Sequence, residues 1–79
     1  MTYVQVVVAR EAVEIAAAVL DGAELTELQK RSAVILFRAV LRYAAEEGAD
    51  LRETPPLHRI VDALAYLTGT LPEVARGAV

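Results

Sequence analysis

The stretch LTELQKRSAVILFRAVLRYAAEEG, residues 25–48, decides the fold. It opens on Thr26-x-x-Gln29. At this spacing the threonine hydroxyl accepts from the Gln29 backbone N–H while the glutamine side chain accepts from the Thr26 N–H, satisfying two of a helix's free donors. Leu25 stands before the box as a hydrophobic staple, and Gly48 closes the stretch as a left-handed stop. The spacing predicts a helix from Leu25 or Thr26 to Glu47, about 23 residues and the longest element of the chain. On its wheel Glu24, Glu27, Arg31, Arg38, Arg42 and Glu46 share an arc of roughly 100°. Glu27 with Arg31 and Arg42 with Glu46 are then i,i+4 pairs of opposite charge. The rest of the circumference, about two-thirds, carries Leu28, Ala33, Val34, Leu36, Phe37, Val40, Leu41, Tyr43 and Ala44. An ordinary surface helix needs a stripe only about half as wide.

Working outward, Thr2-x-x-Gln5 is a second capping box and predicts a first helix from about Tyr3, ended by Gly22. Arg10, Glu14 and Asp21 fall on one side of it, while Val6, Ala9, Ala12, Val13, Ile15, Ala16, Val19 and Leu20 fill the other. Residues 2–8 are also rich in β-branched side chains and read alternatively as a strand. With no second strand in the chain, it would have to pair with another molecule. Downstream, Thr54-Pro55-Pro56 predicts a helix start, because proline holds its predecessor extended and fits the first turn. Leu57, Ile60, Val61, Leu64 and Leu67 give that helix a one-sided apolar face, with Gly69 as its expected end. Thr70-Leu71-Pro72-Glu73 is a further capping box, opening a short C-terminal turn.

At 79 residues the chain holds one domain. Alanine, valine and leucine supply 15, 11 and 10 residues, and the apolar share of 56% against 24% charged excludes a disordered chain. The absence of cysteine removes disulfides, thiolate metal sites and thiol nucleophiles together, and fits a cytoplasmic location. A net charge of −3 is the reverse of a nucleic-acid-binding footprint, so nucleic acid is not an expected partner. The apolar residues Val4 to Ala9 are followed by Arg10, Glu11 and Glu14, the wrong charge order for a secretory signal, and no apolar run is long enough to span a membrane. Internal repeats of solenoid length are absent.

Few residues offer chemistry. His58, the single histidine, stands four residues before Asp62, with Tyr66 four further on. Such a trio could provide a base oriented by a carboxylate, or half of a metal site. It lacks a nucleophile, since the single serine, Ser32, sits mid-helix, and it lacks further ligands. The reading adopted is a solvated helix face with a local His58–Asp62 contact, and no catalytic residue, metal or cofactor is assigned. Arg31, Arg38 and Arg42 are interleaved with Glu24, Glu27 and Glu46, which would repel a polyanion. Gly22, Gly48, Gly69 and Gly77 stand alone, without the clustering of a phosphate loop. Tyr3, Phe37, Tyr43 and Tyr66 are too dispersed to stack bases and read as core or interface anchors.

Were residues 2–8 a strand, the order strand, helix, turn, helix would resemble that of ribbon-helix-helix repressors, which implies a dimeric DNA-binding regulator. The ribbon would offer Tyr3, Gln5 and Val7 to base edges, with no Arg, Lys or Asn among them. Helix two is also longer than that module requires.

The favoured reading is an all-α domain: a helical hairpin of helices one and two, a third helix packed across it, and a short C-terminal turn. One amphipathic helix cannot cover two wide apolar faces. Leaving about 500 Å² wet would forgo some 12 kcal/mol at roughly 25 cal/mol per Å². The core is therefore expected to be completed in a homodimer, helices one and two of both copies forming a four-helix core. The expected function is a small non-enzymatic protein–protein interaction module of adaptor, antitoxin or accessory type. Its expected interface residues are Val13, Leu36, Phe37, Val40, Leu41 and Tyr43, with helix two also facing another protein.

Overall fold

The computed structural model of the chain describes residues 3–70, all but the Thr70 side chain. Three helices follow in order: α1 (Tyr3–Leu20), α2 (Glu27–Glu46) and α3 (Pro55–Thr70). Among the described residues there is no strand, and Tyr3 to Val8 are the first turns of α1. The strand-first alternative, and with it the ribbon-helix-helix regulator, is thereby overturned. With no partner strand in reach, the helix satisfies this segment's backbone internally. Thr2 of the first capping box and Leu71 to Glu73 of the last lie outside the described residues.

Local chemistry sets the element ends. Thr26 is the N-cap of α2, in extended conformation, and both halves of its capping box with Gln29 are formed. At the other end Gly48 takes φ +81°, with Gly48 N–H donating to the Ala45 carbonyl and Ala49 N–H to the Ala44 carbonyl. Gly22 repeats the device after α1 at φ +88°, its N–H donating to Val19 and that of Ala23 to Ala18. Both sites have the bonding of a Schellman motif, in which a residue without Cβ turns the chain left-handed and the last carbonyls find donors.

Between α2 and α3 the chain is tied by Asp50, whose carboxylate accepts from the N–H groups of Arg52 (2.9 Å) and Glu53 (3.3 Å). Thr54 then stands before Pro55, its carbonyl accepting from His58 N–H. Gly69 does not end α3, which continues to Thr70. A glycine ends a helix by going left-handed, and nothing in the helix itself compels that step.

The core is apolar throughout. Ala12, Ala16 and Val19 of α1 meet Ala33, Val34, Phe37, Val40 and Leu41 of α2 and Ile60, Ala63 and Leu67 of α3 in one cluster. Phe37, Ile60, Leu67 and Val34 are its largest enclosed side chains. Among the described residues no polar side chain is buried. At 1.5 Å per residue the 20-residue α2 is about 30 Å long, matching the longest dimension of the molecule, 30 Å. The most extensive contact is between α1 and α3, so α3 is no mere lid on an α1–α2 hairpin. It is an equal third side, and it covers part of the wide apolar arc of α2.

Candidate functional site: an apolar groove beside the first helix

Between Tyr3 and Ala9 the sole polar residue is Gln5. At 100° per residue seven successive positions surround the helix, so this part of α1 carries no charge on any side, and Gln5 lies on the side of Ala12 and Ala16. One side at most can face the core. Tyr3 is 83% exposed, Val4 67%, and Val6, Val7 and Val8 between 46% and 36%. One turn later the pattern is normal: Ala12, Ala16 and Val19 are buried, while Arg10, Glu11 and Glu14 face outward.

Beside these turns runs a groove of about 480 Å³. Val4, Val8 and Ala9 form its α1 wall, and Ala39, Val40, Tyr43 and Ala44 its α2 wall. Pro56 and Leu57 contribute from the first turn of α3, and Ala49 from the turn after α2. Its polar lining residues are Gln5, Glu47 and Thr54. The volume lies within the range of small-ligand sites, roughly 300–1,000 Å³, yet such sites also place convergent polar groups. Here apolar side chains dominate, a composition suited to another apolar side chain.

The expected interface residues are divided by the structure. Phe37 is fully enclosed, and Val40 and Leu41 are 9% exposed, so all three belong to the domain's own core. Val13 and Leu36 are half-buried against that core. Tyr43 is half-buried and lines the groove, as does Val40. The exposed valines of α1 were missing from the expected set. Their signal is the lack of any charged side chain before Arg10.

A second, smaller apolar area lies on α2, where Leu28 is 75% and Ile35 70% exposed. Leu28 borders a depression of about 360 Å³ shared with Ile15, Leu25 and Leu36. The charged stripe of α2 is mixed: Glu27 pairs with Lys30 and Arg42 with Glu46, each at 3.5 Å.

His58 Nδ1 and Asp62 Oδ2 are 3.3 Å apart, on side chains 54% and 53% exposed. Tyr66, one turn on, is 58% exposed. The contact expected from the spacing is formed, on an open surface where water competes for both partners. Among the described residues no group of three His, Cys, Asp or Glu could hold a metal ion, and no helix is long and apolar enough to cross a membrane. Compared with known protein families, with curated proteins and with solved structures, the chain matches none.

Proposed function

We propose that this chain is a small non-enzymatic helical interaction module whose working surface is the N-terminal half of α1, and that its first partner is a second copy of itself. The observation that carries the reading is the segment Tyr3 to Val8, uncharged around the helix and with all five of its apolar side chains exposed. Helices apolar all round belong in interiors.

Covering on the order of 400 Å² there returns some 10 kcal/mol gross at about 25 cal/mol per Å². Association costs roughly 4–15 kcal/mol in lost freedom and ordering. Gain and cost are of the same size, so the proposed pair is a reversible one whose population follows concentration. A second copy fits because a two-fold interface uses the same patch twice. On a chain of net charge −3, an uncharged patch lets two copies meet without opposing like charges. The module would then belong with adaptors, antitoxins and accessory proteins, acting by the faces it hides and presents.

The strip Leu28–Ile35 on α2 supports a second contact, with a different protein, since it lies on another helix from the self-associating face. Sedimentation equilibrium between 1 and 200 μM tests the main reading. The expected outcome is a concentration-dependent rise from 8.5 kDa to twice that mass. A constant 8.5 kDa over the whole range would overturn it.

A further inference from the structure

We infer that two copies meet through antiparallel first helices, about a two-fold axis between Val6 and Val7, with each Tyr3 ring over Arg10 of the other copy; this rests on the self-association reading above. Counted from Tyr3 at 100° per residue, Val7 lies at about 40° around α1, Arg10 at about 340° and Glu14 at about 20°, with Val6 beside them at about 300°. The buried Ala12, Ala16 and Val19 lie at about 180°, 220° and 160°. The ridge therefore points away from the core, and all five of its residues are exposed.

The order of charges along the ridge selects the arrangement. It starts uncharged and then carries Arg10 and Glu14. Parallel copies would set Arg10 against Arg10 and Glu14 against Glu14, like against like. In antiparallel copies Tyr3 stands abreast of Arg10 of the second copy, since each lies about 5 Å along the helix from the axis. A guanidinium is attracted to the face of a tyrosine ring. The two Arg10 residues are then about 10 Å apart along the helices, while Val6 meets Val6 on one flank and Val7 meets Val7 on the other. Glu14 comes to lie about 6 Å past Tyr3 of the second copy, beside the start of that α1. This helix has no acidic residue in its own first turn, and its N-terminal end carries partial positive charge that a carboxylate complements. With Glu11 next to Glu14, each such end receives two carboxylates against one guanidinium. An isologous pair makes every one of these contacts twice. The two ridges together bury on the order of 1,000 Å², the size of a transient pair.

The chain has no cysteine, so single cysteines can report which positions lie abreast. Tyr3→Cys, Val7→Cys and Arg10→Cys, all at exposed positions and with helicity checked by circular dichroism, are oxidised at 200 μM alone and in mixtures. A disulfide forms only where the two Cα atoms come within about 7 Å. Val7→Cys is expected to link to itself, and Tyr3→Cys to link to Arg10→Cys at least tenfold faster than either links to itself. Sedimentation velocity gives a second reading without a covalent bond. Tyr3→Leu and Arg10→Ala should each weaken the dimer about fivefold, and the double variant scarcely further, as for two groups that act on each other.

If Tyr3→Cys and Arg10→Cys each link like with like and the mixture links no faster, the helices run parallel; the arrangement is overturned and self-association through α1 survives. A parent that dimerises while none of the three positions links faster than Ser32→Cys on α2 overturns the arrangement and moves the contact off α1. A parent monomeric at every concentration overturns self-association and the arrangement with it.

Discussion

Thr26 and Gln29 exchange two hydrogen bonds at the head of α2. The Gln29 N–H donates to Thr26 Oγ1 at 3.2 Å, and the Thr26 N–H donates to Gln29 Oε1 at 2.9 Å. The pair fixes where α2 begins, and so the register in which Phe37 reaches the core. Thr26→Ala leaves the Gln29 N–H without this acceptor and is expected to cost about 1 kcal/mol. In a domain of this size that lowers the melting temperature by roughly 4–8 °C, read by circular dichroism.

Phe37 is fully enclosed among side chains of its own chain. Phe37→Ala is expected to cost about 3–5 kcal/mol, through lost burial and the cavity left behind. Urea titration should show much or all of the stability gone, with loss of helix at every protein concentration. A residue that anchored the dimer alone would leave a folded monomer instead.

Val7 is 42% exposed on the face assigned to self-association. Val7→Glu is expected to leave the fold nearly as stable as before, within about 0.5 kcal/mol. Light scattering of the same sample should give the monomer mass. Normal helicity with undiminished dimer would remove α1 from the interface.

Gly48 holds φ +81°, and a Cβ added there would meet nothing within 4 Å. The cost of Gly48→Ala is therefore conformational, about 1–2 kcal/mol for a left-handed L-residue. Gly69, inside α3 without such a φ, gives the contrast. Gly69→Ala should stabilise by up to about 1 kcal/mol, since alanine is the better helix former. Paired thermal melts decide both signs.

His58 and Asp62, 3.3 Å apart and half exposed, form a contact of the kind that contributes a few tenths of a kcal/mol. His58→Ala should shift the urea midpoint at pH 7 by an amount close to measurement error. A loss above about 1 kcal/mol would show that this contact does more than decorate a wet surface.

What the chain discloses about itself depends on range. Thr26, Gln29, Gly22 and Gly48 act within five residues, and each works where local chemistry places it. Thr54-Pro55-Pro56 is equally local, and α3 begins at Pro55. Gly69 shows the limit: the residue permits a stop, and the helix continues to Thr70. The apolar arc of α2 was legible as too wide for one neighbour. That α1 and α3 cover most of it from two sides depends on packing between distant segments, which a wheel does not contain. Phe37 therefore lies inside, whereas uncovered apolar side chains gather on Tyr3 to Val8 and recur on α2 at Leu28 and Ile35. A periodic pattern gives directions around one axis; it does not say how far along that axis the neighbours extend.

Six residues link α1 to α2 and eight link α2 to α3, so the three helices are gathered through short connections. Helical bundles with such connections fold in microseconds to milliseconds. Two molecules at 1 μM that associate at roughly 10⁵–10⁷ M⁻¹s⁻¹ meet only about 0.1–10 times per second. Each copy has thus finished folding long before it encounters another. On the proposed self-association, assembly is a collision between ready-made bodies, and its rate, unlike that of chain collapse, scales with protein concentration.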